Sequence, residues 1–155
     1  MGIEIERKFL VRNEGWRPQA GAGQPMRQGY IGGMDKASVR VRQAGDRAWL
    51  NIKGATLGIQ RREYEYQIPL DDAAEILAEL CSGALIEKTR FEVPIGDHVW
   101  EIDVFEGANA GLVVAEIELG SPEADFQRPD WLGEEVSGDP RYYNACLVEH
   151  PWCEW

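Results

Sequence analysis

Charged residues recur two positions apart at six places along the chain, and this spacing suggests a shared chemical site. An apolar or aromatic residue separates the members of five pairs, as in the stretch Ile3-Glu4-Ile5-Glu6, and Thr89 separates those of the sixth. In a β-strand, residues i and i+2 point to the same face, so each pair would project from one side of its strand. One half-solvated strand explains one such pair, but not six in 155 residues. The pairs are Glu4/Glu6, Arg40/Arg42, Glu63/Glu65, Lys88/Arg90, Glu101/Asp103 and Glu116/Glu118.

Two predicted hairpins place many of these charges on a common face. Two-residue turns at Gly45-Asp46 and Gly96-Asp97 would fix the registers of the strands that flank them. Directly paired residues point to the same side of a sheet, and a shift of one residue would invert every side chain. Lys53 and Lys88 then fall on the charged side, whereas His98 lies on the opposite side. The predicted pairs are Arg42–Trp49, Arg40–Asn51, Arg90–Asp103 and Glu92–Glu101.

The remaining pattern predicts a protein made mainly of antiparallel strands. Apolar residues recur at helical spacing after Pro69, which predicts a helix over 71–81 that is capped by Asp71. A helix is also predicted over 140–148 and a short one after Ser121-Pro122, whereas 12–25 and 131–136 read as irregular. Strands are predicted over 3–11, 26–31, 38–43, 47–53, 59–68, 85–95, 98–105 and 112–119. At this length, we expect a single domain over 1–155.

Two architectures accommodate a sheet with one charged face and one apolar face. An open sheet packs its apolar side against helices and exposes its charged side to water. A barrel of about eight strands closes on itself, and its interior is filled by side chains or holds one small ligand. The eight predicted strands, with only two clear helices to cover a sheet, favour closure slightly. The strand pattern alone leaves both architectures open.

If the sheet closes, the inward charges are suited to a metal-bound polyphosphate. Crowded and buried carboxylates have raised pKa values unless a cation neutralises them. Oxygen ligands without thiolate or imidazole are those that Mg²⁺ or Mn²⁺ prefers. Arginine binds phosphate oxygens through its planar fork, and lysine binds them as a point charge. The pattern therefore indicates a site for a small polyanion with its metal.

The composition argues against several classes of function. The net charge of −11 opposes binding to extended nucleic acid. Apolar runs stay short of the ~20 residues that a membrane span needs, and the charged N-terminus does not resemble a signal peptide. Three widely spaced cysteines without a CxxC motif argue against a disulfide framework and a zinc site. We therefore expect a cytoplasmic protein with no nucleic-acid or membrane partner.

The order of these motifs resembles that of the CYTH superfamily, the triphosphate tunnel metalloenzymes. The stretch Glu4-Ile5-Glu6-Arg7-Lys8 matches the N-terminal ExExK motif of the family, and the similarity extends to Gly133-Glu134-Glu135-Val136 and Arg141-Tyr142-Tyr143-Asn144. The resemblance implies an α+β fold in which about eight antiparallel strands form a closed barrel, or tunnel, with a charged interior and a few flanking helices. Family members hydrolyse inorganic triphosphate, thiamine triphosphate or other triphosphates, or cyclise ATP.

The resemblance also implies roles for the inward residues. Lys8, Glu4 and Glu6 would be catalytic, and the cofactor would be Mg²⁺ or Mn²⁺. Glu65 is left open between a metal ligand and a partner for an inward arginine. The implied metal ligands are Glu4, Glu6, Glu116 and Glu118 for a main ion, with Glu63 and Asp103 at a second position. The implied phosphate ligands are Lys8, Arg40, Arg42, Lys53, Arg61, Lys88 and Arg90.

We expect hydrolysis of inorganic triphosphate as the activity. The alternatives are a class IV-type adenylate cyclase or a thiamine triphosphatase of the same superfamily, or a non-catalytic module that binds polyphosphate. The partner would be a small-molecule triphosphate, and the chain is compatible with a homodimer.

Other polar and aromatic residues are assigned structural roles. Tyr142 and Asn144 are expected to anchor the final helix, and Glu134 and Glu135 to form a solvated pair. The six tryptophans are expected in the core or at the rim of the site.

Overall fold

A computed structural model describes residues 2–32, 35–55 and 58–155, and these residues form nine β-strands and two α-helices. The helices are α1 (Leu70–Glu79) and α2 (Asn144–Glu149). None of the described helices is both long enough and apolar enough to cross a membrane. The strands are β1 (Ile3–Val11), β2 (Gln24–Tyr30), β3 (Ala37–Ala44), β4 (Arg47–Gly54), β5 (Gln60–Ile68), β6 (Ser82–Ile95), β7 (His98–Phe105), β8 (Val113–Glu118) and β9 (Leu132–Glu135).

The sheet closes into an antiparallel barrel of eight strands, so the closed architecture is correct and the open sheet is not. The strand order is β5-β4-β3-β2-β6-β7-β8-β1, and β1 also pairs with β5. The β1–β5 seam consists of three residue pairs, from Ile3–Arg62 to Ile5–Gln60. The other half of β1 pairs with β9 through Phe9 and Val11. Closure turns one face of every barrel strand inward, which brings the charged pairs together.

Both predicted hairpin registers are confirmed. In the β3–β4 hairpin, Arg40 lies opposite Asn51, and in the β6–β7 hairpin, Arg90 lies opposite Asp103. Gly45 and Gly96 open the two turns with φ angles of 63° and 61°. Tight hairpin turns require such positive φ angles, which glycine adopts at little cost. The turn chemistry therefore fixes which side chains enter the barrel.

Two apolar clusters cover the outside of the barrel, and another lies on its inward face, where Phe105 and Val114 pair with Lys88 and Asp103. Helix α1 packs Ala73 and Leu77 against Val41 and Ala48 of the β3–β4 hairpin. The segment that contains α2 forms the inward cluster with β6 and β8. The third and largest cluster holds three of the tryptophans in the core, as expected, and its buried members are Phe9, Trp16, Val93, Trp100, Ile102, Ala115, Ile117, Leu119, Trp131 and Leu132.

Three local predictions are wrong, and the helix predicted over 140–148 is divided by an extended Tyr143 into a 3-10 turn, Pro140–Tyr142, and α2. Helix α1 begins at Leu70 after an extended Pro69, so Asp71 lies in the first turn and does not cap the helix. The segment after Ser121 turns without forming a helix, because Ala124 and Phe126 pack onto the largest apolar cluster. Residues 132–135, predicted to be irregular, form β9 because β1 offers them a strand edge.

Candidate active site

A cavity of about 850 Å³ lies inside the barrel and is lined by side chains from its strands. All of the predicted site residues except Asp103 line this cavity, whereas His98 does not, as its register predicted. The charged side chains in the lining are Glu4, Glu6, Lys8, Arg40, Arg42, Asp46, Arg47, Lys53, Arg61, Glu63, Glu65, Lys88, Arg90, Glu101, Glu116 and Glu118. The closed sheet therefore concentrates both carboxylates and cations around one space.

The carboxyl groups of β1 and β8 meet on one wall of the cavity. Glu6 pairs with Glu118 across the two strands, and Lys8 pairs with Glu116. Burial and the adjacent Glu116 raise the pKa of Glu6 well above its usual range. Burial alone would also raise the pKa of Glu116, but Lys8 and a hydrogen bond from Glu6 hold that pKa well below its usual range. The two neighbouring carboxyl groups therefore differ in their affinity for a proton, which Glu6 binds more readily than Glu116.

Lys53 joins two further carboxylates where β1, β4 and β5 meet. Its Nζ lies 3.2 Å from Oε1 of Glu4 and 3.4 Å from Oε2 of Glu63. Burial raises the pKa of Glu4, and the charge of Lys53 offsets only part of this effect. Burial would lower the pKa of Lys53, but the surrounding carboxylates outweigh it and raise that pKa.

Asp103 lies beneath two of the predicted phosphate ligands. Lys88 Nζ donates to its Oδ2 at 2.7 Å, and Arg90 Nε donates to its Oδ1 at 2.8 Å. Burial would raise the pKa of Asp103, but these two cations lower it to about 2. Arg90 also contacts Glu101 at 3.2 Å and Glu116 at 3.5 Å. With both of its oxygens in ion pairs, Asp103 supports the cations, and its role as a ligand of a second metal stays a prediction.

Among the described residues, three inward arginines have no carboxylate partner. In the part of the chain that the structure describes, no salt bridge involves Arg40, Arg42 or Arg61. Arg42 Nε donates to the amide of Gln28 at 2.7 Å, and the guanidinium of Arg61 lies 5.1 Å from the ring of Tyr143. Burial and the neighbouring Arg40 lower the pKa of Arg42 to about 9. Buried cations without counter-charges favour the binding of an anion.

Uncharged amides organise the cavity, and the charge pattern did not identify them. Asn51 accepts from Arg40 at 3.4 Å and donates to Glu65 at 2.7 Å, so the partner of Glu65 is an amide and not an arginine. The predicted hairpin register already turned Asn51 inward, and this was the available signal. Gln28 gave no such signal, because its strand pairs with β3 across a longer connection.

The C-terminal segment reaches the cavity lysines. Lys8 Nζ donates to the backbone carbonyl of Tyr142 at 3.1 Å, and Lys88 Nζ donates to Oδ1 of Asn144 at 2.9 Å. The expectation that Tyr142 and Asn144 serve only to anchor the final helix is therefore too narrow. The segment contributes directly to the environment of both lysines.

Glu135 is not part of a solvated pair, contrary to the prediction. Its two carboxylate oxygens accept from Arg7 at 2.9 and 2.7 Å, and one of them also accepts from Ser137 at 2.7 Å. This contact joins β9 to the outer side of β1. Glu134 is exposed, as expected.

The carboxyl groups of β1 and β8 that line one wall of the cavity are those of Glu4, Glu6, Glu116 and Glu118, here called the carboxylate wall. Their donor chemistry fits a hard divalent cation. The donor atoms are all carboxyl oxygens, and the charge of Glu116 raises the pKa of Glu6, so a positive charge between these two groups is favoured. Within residues 2–32, 35–55 and 58–155, no three His, Cys, Asp or Glu side chains are gathered closely enough to hold a metal ion. The assignment of individual ligands therefore stays a prediction.

Comparisons with known proteins agree with this geometry. The chain is 49% identical over 152 residues to an inorganic triphosphatase from Acetivibrio thermocellus. This alignment covers 98% of this chain and 97% of that protein. It is 38% identical over 149 residues to an inorganic triphosphatase from Nitrosomonas europaea, covering 94% and 96% of the two chains. The crystal structure of an inorganic triphosphatase superposes with a TM-score of 0.66 at 37% identity, over 93% of this chain and 96% of that one. A family model described as a CYTH domain matches residues 2–143, and the chain therefore belongs to the CYTH domain family.

Proposed function

We propose that this protein is a metal-dependent triphosphatase that hydrolyses inorganic triphosphate to pyrophosphate and phosphate inside its barrel. The observation that carries the proposal is the set of three inward arginines without carboxylate partners among the described residues. Two relatives at 49% and 38% identity, each named an inorganic triphosphatase, support the same activity. The cavity volume of about 850 Å³ suits one small substrate with its counter-ions.

Phosphate binding is assigned to the inward cations. The guanidinium groups of Arg40, Arg42 and Arg61 offer forks that match phosphate oxygens. Lys8 uses one ammonium proton for the Tyr142 carbonyl, so the others are available to the substrate or to the attacking water. The full set of proposed phosphate ligands is Lys8, Arg40, Arg42, Lys53, Arg61, Lys88 and Arg90.

The metal is proposed to be Mg²⁺ or Mn²⁺, as the all-oxygen donor set favours. Glu4, Glu6, Glu116 and Glu118 would hold a main ion, and Glu63 and Asp103 would lie at a second position. When bound, such an ion neutralises charge on phosphate oxygens and makes water a better nucleophile.

The contribution of the chain itself is mainly positioning and electrostatic stabilisation. The inward cations hold the triphosphate and offset the charge that develops on the leaving pyrophosphate. Lys8 is proposed to orient the attacking water, and Glu4 and Glu6 are the proposed acidic groups of the same catalytic set. Lys8 lies opposite Glu116 in the β1–β8 pairing, which keeps an ionised carboxylate close to its ammonium group.

The test is phosphate release from inorganic triphosphate, thiamine triphosphate and ATP, each with Mg²⁺ and with Mn²⁺, together with an assay for cyclic AMP. Most of the recognition is directed at phosphates, so inorganic triphosphate is expected to show the highest kcat/KM, by about tenfold over ATP. Substantial cyclic AMP, or a higher kcat/KM for ATP, would favour the cyclase alternative. Full activity in excess chelator would contradict the metal requirement.

A further inference from the structure

Two uncharged side chains link a pair of cavity cations to the C-terminal helix. Arg42 Nε donates to Oε1 of Gln28 at 2.7 Å, and Gln28 Nε2 donates to Oδ1 of Asn144 at 3.1 Å. The same Oδ1 accepts from Lys88 Nζ at 2.9 Å. Gln28 is fully buried, and Lys88 is 2% exposed. A continuous chain of hydrogen bonds therefore runs from β3 through β2 and α2 to β6.

The hydrogen-bonding rules leave one consistent orientation for both amides. Arginine and lysine can only donate, so the oxygen of Gln28 must face Arg42 and the oxygen of Asn144 must face Lys88. The amide nitrogen of Gln28 is then left to donate to Asn144 and to the Tyr30 hydroxyl at 3.2 Å. Both ends of the Gln28 amide and the oxygen of Asn144 have partners, so this part of the network is rigid, because each broken contact would leave a polar group without a partner.

We infer that Gln28 and Asn144 are positioning residues, which hold Arg42 and Lys88 in the orientation that binds the substrate phosphates. The inference rests on the proposed triphosphatase function and adds to it a role for α2. Neither amide is charged, and neither belongs to the set of cations and carboxylates already assigned.

The count of donors explains how the amides would act. Lys88 gives one ammonium proton to Asp103 and one to Asn144, so the third has a fixed direction. Arg42 has its Nε bound by Gln28, which leaves its terminal nitrogens for phosphate. Without these acceptors, each cation would have to lose rotational freedom when the substrate binds. Groups fixed in advance avoid this entropic cost.

Asn109 offers a matched control for a purely structural role. It is a buried asparagine, whereas Asn144 is half-buried, and the Oδ1 of Asn109 accepts from the backbone N–H of Trp152 at 2.8 Å. Like Asn144, it ties the C-terminal segment to the barrel, but it does not line the cavity. If Asn144 served only to attach the segment, Asn144→Ala and Asn109→Ala would have similar consequences.

The experiment measures the binding of inorganic triphosphate to the metal-free protein by calorimetry, and KM and kcat with the metal. Asn144→Ala is expected to raise both Kd and KM by about tenfold, the effect of losing one oriented electrostatic contact. Asn109→Ala is expected to leave both constants within about twofold of the wild type. A loss of folded protein would lower the apparent kcat but would not raise KM.

Gln28→Met provides a second variant that leaves α2 unchanged and roughly preserves side-chain volume. It is expected to raise KM by a similar factor, and the double variant should cost little more than either single change, since both break one chain of contacts. If Gln28→Met has the same Kd and KM as the wild type, the inference is wrong. This test remains available if Asn144→Ala fails to fold. If the wild type binds triphosphate without hydrolysing it, the proposed function fails, while the change in Kd still tests the inference.

Discussion

At the scale of single residues, the cavity contains cations of two kinds. Lys53, Lys88 and Arg90 are compensated by carboxylates within 3.4 Å. Arg40 is 7% exposed, and no salt bridge to it occurs within the described residues. A buried charge without a partner lowers the stability of the empty protein but is available to a ligand. Activity and stability should therefore respond in opposite directions when such a cation is removed.

Arg40→Met tests this opposition directly. The change removes a buried charge and keeps much of the side-chain volume, so the free energy of unfolding should stay unchanged or rise. Turnover of inorganic triphosphate should fall by about 10²–10³, by analogy with the loss of one electrostatic donor. Chemical denaturation and steady-state kinetics provide the two measurements. Arg27→Met, on the exposed side of β2, is the control, and a matching loss of activity there would refute the assignment.

Glu116→Gln tests the carboxylate wall. The substitution preserves shape but removes the negative charge that Lys8 and a hydrogen bond from Glu6 stabilise. Turnover should fall by about 10²-fold or more, and the circular dichroism spectrum should be retained. Glu134→Gln, which alters an exposed glutamate of β9, should leave kcat/KM unchanged. Near-normal activity in Glu116→Gln would remove this residue from the proposed metal ligands.

At the scale of elements, one ion pair fastens β9 to the barrel. The strand has only four residues, and its pairing with β1 is interrupted by a register shift between Phe9 and Val11. The contact of Arg7 with both oxygens of Glu135 bridges this irregular region. A forked arginine–carboxylate pair fixes geometry as well as adding energy. The pair therefore compensates for a short strand ladder.

Glu135→Gln should lower the free energy of unfolding by about 1 kcal/mol near neutral pH. The hydrogen bond from Arg7 lowers the pKa of Glu135 below its usual value of 4.5. The stabilisation is therefore present above that value and is lost as the pH falls through the lower pKa of the folded state. Denaturation curves of both proteins should differ at neutral pH and converge in acid. A difference independent of pH would contradict an ionic origin.

Local chemistry determined which elements could be predicted. The β3–β4 and β6–β7 registers followed from two-residue turns, because glycine with positive φ leaves little choice of pairing. The β1–β9 pairing and the contacts of Gln28 join residues far apart in sequence, and no local signal specifies them. The charged lining of the cavity was predictable from strand alternation, whereas its amides were not. The closure of the barrel needed the tertiary pairing of β1 with β5.

At the scale of the whole molecule, the charge is separated between exterior and interior. The net charge is −11, and the charged side chains of the cavity lining are eight cations and eight carboxyl groups, so the excess of negative charge lies outside the cavity. An acidic exterior repels a long polyanion, while the interior attracts whatever phosphate groups fit inside it. The location in the cytoplasm and the homodimer stay predictions from sequence.

This separation predicts selection by substrate length. Long-chain polyphosphate should show a lower kcat/KM than inorganic triphosphate, because its outer phosphates must remain beside the acidic surface. Raising the salt concentration shortens the reach of that repulsion, to about 10 Å at 0.1 M. Added salt should therefore narrow the difference between the two substrates. The measurement is kcat/KM of both substrates across a salt series at constant concentration of free metal. If the ratio of the two kcat/KM values, triphosphate over polyphosphate, increases with salt, this explanation is wrong.

The central position of β1 has a consequence for biosynthesis. This strand is synthesised before all of its partners, which lie at residues 60–62, 114–118 and 132–135. Until those segments are translated, Ile5 and Phe9 have no complete wall to pack against. The β3–β4 and β6–β7 hairpins can form early, because their strands are adjacent in the nascent chain. The nascent protein must therefore keep its N-terminal strand available to late partners, and this interval is when it is most exposed to misassociation.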